Sequence, residues 1–200
     1  PEGLSRRRAT AEDEERLEQI RQATVPAWVR ENLFDARKIY ELRNELVDES
    51  ERVGSDLVKW QVISETSPSA EYRQEAMAAN DSTAGYAGGL SELLEDLNSI
   101  IEYGSGYDYW LYNMDAQRRN RMLDTIENYH TTRMVAERSR VRFADLEQER
   151  LQGEIDAATR DTGADSVFTQ GLLQELQDAE QRRSDSIFME NFLAKELAEI

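Results

Sequence analysis

Proline stands at positions 1, 26 and 68 of this 200-residue chain and nowhere else. A residue that costs a helix interior about 3 kcal/mol is therefore missing from the last two thirds of the sequence. The ten glycines are mostly clustered rather than spread, so long stretches run without a breaker. No alternating apolar and polar run is long enough to mark a strand, and no internal repeat of roughly 20–50 residues recurs. The fold class expected is all-α: an elongated bundle of long helices and helical hairpins with coiled-coil-like packing.

The breakers and caps divide the chain. Residues 1–9, with Arg6, Arg7 and Arg8, form a basic arm. Thr10 with Glu12 and Asp13 caps a short helix to about residue 23. Pro26 suits the first turn of a helix predicted over 26–65, along which Trp28, Leu33, Ile39, Leu42, Leu46, Val53, Leu57 and Trp60 recur at three- and four-residue steps. Thr66-Ser67-Pro68-Ser69 ends it, and helices follow over 69–84 and 91–102. The small residues from Ala76 to Gly89 read either as a loop between those two or as a close helix contact, through the Ala84/Gly88 and Gly85/Gly89 spacings. Tyr103-Gly104-Ser105-Gly106 is the clearest turn. A helix is predicted over 108–158 and a last one over 166–199, separated by Arg160-Asp161-Thr162-Gly163. Residues 10–200 make one helical body, two of its helices reaching roughly 60–75 Å at about 1.5 Å rise per residue.

Composition narrows the function classes. With 39% hydrophobic and 32% charged residues, apolar material suffices for thin seams between helices rather than a thick core. A net charge of −17 repels nucleic acid and acidic membranes at long range. The absence of cysteine removes disulfides, thiolate zinc sites and cysteine nucleophiles. No run reaches the roughly 18 apolar residues of a membrane span, and no basic-then-apolar signal segment precedes the body. Lysine occurs only at Lys38, Lys59 and Lys195, a bias that suits a salt-adapted source or a GC-rich genome.

No catalytic constellation stands out, and no cofactor fingerprint is present. Glu127-x-x-His130 puts a carboxylate and an imidazole on one helix face, as di-iron bundles do. His130 is the only histidine, so only a symmetric dimer could complete such a centre, and no metal site is assigned. A serine triad would also need His130, and no glycine-flanked nucleophile elbow accompanies it. Gly85, Gly88 and Gly89 match neither phosphate-binding glycine loop.

Two features point to contact surfaces. Tyr103, Tyr107, Tyr109, Trp110 and Tyr112 gather half of the eight tyrosines at one helix tip; such side chains favour interfaces, and the same cluster reads equally as packing onto the chain's own neighbouring helix, or as a membrane- or glycan-facing patch. Between Ala116 and Arg142 seven arginines, among them Arg118, Arg119, Arg121, Arg138, Arg140 and Arg142, face three acids, while Glu12–Glu18 and Glu41–Asp56 are acidic. A basic belt on an acidic rod orients copies side by side. The same arginines would also serve as a DNA-facing lining, and the commonest outcome for such charges is a solvated, locally paired face.

The stretches Phe34-Asp-Ala-Arg-Lys-Ile-Tyr40 and Tyr107-Asp-Tyr-Trp-Leu-Tyr-Asn-Met-Asp-Ala-Gln-Arg-Arg119 resemble internal or ejection proteins of short-tailed bacteriophages and the helical proteins around their portals. The likeness is one of texture over the whole chain and carries over no functional residue. It implies a structural role within a virion. Such proteins often carry an apolar membrane-active segment, and this sequence has none. The function expected is non-enzymatic: a homo-oligomeric helical assembly, in a virion if the chain is viral and otherwise a cellular scaffold or adaptor. A di-iron protein completed by symmetry is the reading from a different class.

Overall fold

The computed structural model describes residues 25–103, 114–198 and 200. Five helices, and no strand, occur among them: α1 (Ala27–Leu33), α2 (Ala36–Thr66), α3 (Ala70–Tyr103), α4 (Ala116–Thr162) and α5 (Val167–Ala198). The expected all-α bundle is what the chain forms. The arm at 1–9 and the helix over 10–23 lie outside the described residues, as does the stretch 104–113.

Each long helix packs against the next in sequence, α2 on α3, α3 on α4 and α4 on α5, with α1 folded onto α2. The connections fix antiparallel neighbours: Glu49 of α2 meets Tyr86 of α3, Glu92 of α3 meets Asn128 of α4, and Glu147 of α4 meets Arg182 of α5. Helix α4 also runs parallel to α2, with Arg140 on Asp56 and Phe143 on Trp60. At 47 residues it is about 70 Å long and is the strut that all the others touch.

The seams are regular. Helix α3 buries Ala76, Ala79, Thr83, Tyr86, Leu90, Leu93, Leu97 and Ile100 at alternating three- and four-residue steps. Helix α2 buries Ile39, Leu46, Val53 and Trp60, one every seventh residue. Ile39, Leu46 and Val53 with Tyr86, Leu90, Leu93, Leu97 and Ile100 meet Met122, Ile126, Tyr129 and Ala136 of α4 in the main core, where each large apolar side chain stabilises the fold by about 1.5–3 kcal/mol; Trp60, Ala76 and Ala79 instead pack with Phe143. A second cluster, Leu151, Ile155 and Ala158 with Leu172 and Ala179, belongs to α4 and α5 alone. The α4–α5 hairpin therefore projects past the turn that joins α2 to α3.

Four boundaries differ from the sequence reading. The helix expected from 108 begins at Ala116, because Asp115 takes extended backbone (ψ 164°) and its carboxylate accepts from the Arg118 amide. The helix expected over 26–65 is two, because Asp35 takes extended backbone (φ −114°, ψ 124°) and its carboxylate accepts from the Arg37 amide. That N-cap starts α2 afresh and lets α1 turn Trp28, Val29 and Leu33 inward. The helices expected over 69–84 and 91–102 are one, running through Gly85, Gly88 and Gly89. Packing decides this against propensity: a Cβ on Gly89 would stand 3.3 Å from Tyr129 Cα and 2.8 Å from Thr132 Oγ1, so only glycine lets α3 and α4 approach there. Gly85 and Gly88 have open space and contribute nothing of the kind. At the other end, α4 runs four residues beyond the predicted 158 to Thr162 and stops at Gly163, whose φ of +86° suits glycine. Ser166 then caps α5 by accepting from the Thr169 amide.

Candidate functional site

The polar residues of the seams gather into one internal spine where α2, α3 and α4 meet. On α2 the three- and four-residue register continues through Glu49 and Asp56, between Leu46, Val53 and Trp60. Glu49 accepts a hydrogen bond from the Tyr86 hydroxyl at 3.1 Å, and Arg52 and Arg133 stand 3.1 and 3.7 Å from it. Arg133 Nη1 donates to the Tyr129 hydroxyl at 2.8 Å, and its guanidinium lies over the Tyr86 ring. Burial, reinforced by the neighbouring Tyr129, pushes the Tyr86 phenol well above its ordinary range. It therefore stays protonated and serves as a donor to Glu49.

Two turns along, Arg140 bridges two acids. Its Nη2 lies 2.5 Å from Asp56 Oδ2 and its Nη1 2.6 Å from Glu137 Oε1. Glu137 is only 5% exposed, a burial that a carboxylate tolerates when it is paired. Above this bridge the Trp60 indole and Phe143 ring meet edge-on, and Tyr72 packs edge-on against Phe143 as well.

A groove of about 500 Å³ opens along this spine between α2, α4 and α5, lined by Asp56, Lys59, Trp60, Arg140, Arg182 and Asp185 among others. Its charges balance locally. Trp60 Nε1 and Arg133 Nε, both on this groove, have no hydrogen-bond partner among the described residues. Both atoms are themselves buried, so neither is presented to the groove as a donor.

The seam of α5 is also polar in its middle. Leu172, Leu176 and Ala179 give way to Arg183, Ser186 and Glu190 before Leu193 resumes. Asp145 answers Arg183 at 2.5 Å, and Arg138 answers Glu190 at 2.5 Å. These cross-helix pairs are largely exposed and each adds at most about 1 kcal/mol.

The sequence-derived sites fall as follows. Of the arginine belt, Arg138 and Arg140 turn to acids of α5 and α2 within the chain. Arg142 donates to Ser139 Oγ and Arg119 to the Met114 carbonyl. Arg118 and Arg121 are exposed beside a small hollow near Asp96. Tyr103 closes α3; its side chain, with Tyr107, Tyr109, Trp110 and Tyr112, lies outside the described residues. Glu127 is exposed while His130 is buried between Trp28 and Tyr129, its Nδ1 2.8 Å from the Ile126 carbonyl. Among the described residues no group of three or more His, Asp or Glu side chains is placed to hold a metal ion, and no helix is long and apolar enough to cross a membrane. Tyr86 carries no sequence signal, and Arg133, Glu49 and Asp56 read in the sequence only as members of the basic belt and of the acidic stretch Glu41–Asp56. The legible signal was an acid at two positions where the α2 register calls for an apolar residue.

No family model, curated protein or solved structure matches this chain.

Proposed function

We propose that the chain is a non-enzymatic building block that assembles with further copies of itself, and that this assembly belongs to a phage particle. One observation carries the reading. Helix α5 spends one face on α4 and leaves Val167, Phe168, Phe188 and Phe192 exposed at 91%, 64%, 70% and 47%. Large apolar side chains left exposed at both ends of one helix mark interaction surfaces. The spine supports it: half-buried ion pairs centred on the buried Glu137 hold the rods in one arrangement, which suits a part that must present the same flanks in every copy. The likeness of texture to virion proteins supports the setting.

Light scattering and sedimentation at micromolar protein, in moderate and in high salt, test the assembly. A mass above that of one chain in both salts is expected. A stable monomer throughout would overturn it. Gene neighbourhood tests the setting, since portal and capsid genes alongside support a virion, whereas a cellular operon makes the same assembly a cellular scaffold.

A further inference from the structure

A second hollow, of about 570 Å³, continues the groove of the candidate site toward α1. Glu49, Arg52 and Arg133 line both, so the two form one channel, floored by α4 and walled by α2 and α5. Leu46, Phe192 and Leu193 line one end, and Trp60, Phe143 and Met189 line the other, with charged side chains between them. No helix among the described residues covers it between Leu46 and Trp60. A cleft of this kind, apolar in places and flanked by two helices, is what one face of an amphipathic helix fills.

Helix α1 lies at one end of the channel and points along it. Trp28, near its start, meets the His130 ring edge-on at 5.6 Å and lines the hollow together with Leu46 and Glu49. The other end of α1 joins α2 through Asp35. Residues 27–33 therefore run antiparallel to the start of α2. The chain that precedes them reaches the channel abreast of Leu46 and heads for Trp60.

We infer that this channel is the docking site of residues 10–24 of the same chain. Length agrees. From Leu46 to Trp60 α2 rises about 21 Å, and the helix expected from the sequence over 10–23 spans about 21 Å as well, at roughly 1.5 Å per residue. Pattern agrees too. Leu17 and Ile20, the two large apolar residues of the segment, stand three apart and so share one helical face. Charge runs the same way. Arg21 arrives at the α1 end, where Glu45, Glu49 and Glu196 outnumber Arg52 and Arg133. Glu12, Asp13, Glu14 and Glu15 arrive at the other end, where Lys59 and Arg182 stand. The docking is within one chain and does not depend on the assembly proposed above.

The test uses the full chain, which has no cysteine of its own. In this register Leu17 comes abreast of Met189, on the α5 wall of the channel. Leu17→Cys combined with Met189→Cys should form a disulfide within one chain, to the same extent in dilute and in concentrated protein. Leu17→Cys combined with Val167→Cys should not, since Val167 lies about 33 Å farther along α5. Leu17→Asp with Ile20→Asp should keep the circular dichroism of the body and raise amide hydrogen exchange over residues 10–24 about tenfold or more. No disulfide between positions 17 and 189 would overturn the docking, as would wild-type exchange over 10–24 that the double aspartate variant leaves unchanged. A disulfide that joins two chains and fades on dilution would put a second copy's segment in the channel, and would overturn docking within one chain.

Discussion

The Trp60 and Phe143 rings meet edge-on across the α2–α4 contact, their centroids 4.8 Å apart. Trp60 is 97% withdrawn from solvent, yet its Nε1 has no partner among the described residues. Its contribution is therefore the ring and not the N–H. Trp60→Ala should cost about 3–5 kcal/mol through the cavity it leaves. Trp60→Phe should cost less than about 1.5 kcal/mol, because no protein hydrogen bond is lost. Urea unfolding of both variants decides it, and a Phe variant as damaging as the Ala variant would mean that the indole N–H is bonded.

Gly89 is the residue that lets α3 and α4 close. Gly89→Ala should destabilise by about 1–3 kcal/mol, since Thr132 Oγ1 and the Tyr129 backbone both stand in the way of the new methyl group. Gly85→Ala and Gly88→Ala meet nothing within 4 Å and should each stabilise by about 0.5–1 kcal/mol. Thermal melts of the three variants should move in opposite directions. A stabilised Gly89→Ala would remove the close approach from the account.

Arg140 neutralises Glu137 inside the bundle. Arg140→Ala should cost about 3–5 kcal/mol because it strands a buried carboxylate, and the double change Glu137→Met with Arg140→Met should recover most of that. Arg138 and Glu190 form a more exposed pair, so Arg138→Ala should cost no more than about 1 kcal/mol. A double-mutant cycle in urea measures the difference, and equal losses at Arg140 and Arg138 would argue against a buried ionic spine.

His130 gives the fold a pH dependence of definite sign. Burial lowers its pKa below the ordinary 6.5; the Ile126 carbonyl works the other way, and Arg133 adds to the lowering. As pH falls through 6.5 the unfolded chain binds the proton first, so stability present above that pH declines until the folded-state pKa is reached and then levels. Wild-type unfolding free energy should fall between about pH 7 and pH 5, and His130→Phe should lack that component of the slope. Imidazole NMR titration of the folded protein at or above 6.5 would refute it.

Much of this fold was legible from residue order alone. The seven-residue recurrence of Ile39, Leu46, Val53 and Trp60, the stop at Thr66-Ser67-Pro68-Ser69 and the stop at Gly163 located the buried face and the C-terminal end of α2 and the α4–α5 turn to within a few residues. The break at Asp35 was harder to read, because an aspartate within a periodic apolar pattern is as often a solvated side chain as an N-cap. His130 and Glu137 are polar residues at buried positions of α4, and what Glu137 is buried against was not legible, since an ion pair depends on which residue another helix brings opposite.

Sequence by itself determined that the chain is helical and where its apolar stripes run, because propensity and periodicity are local quantities carried by neighbours three and four residues apart. Tertiary structure alone decided that α3 passes unbroken through its glycines, that Glu49 and Asp56 turn inward to Arg133 and Arg140, and that α5 leaves Phe188 and Phe192 exposed. Those outcomes hang on distances between residues such as Asp56 and Arg140, far apart in the chain, and their energies arise only when packing has removed the water between them.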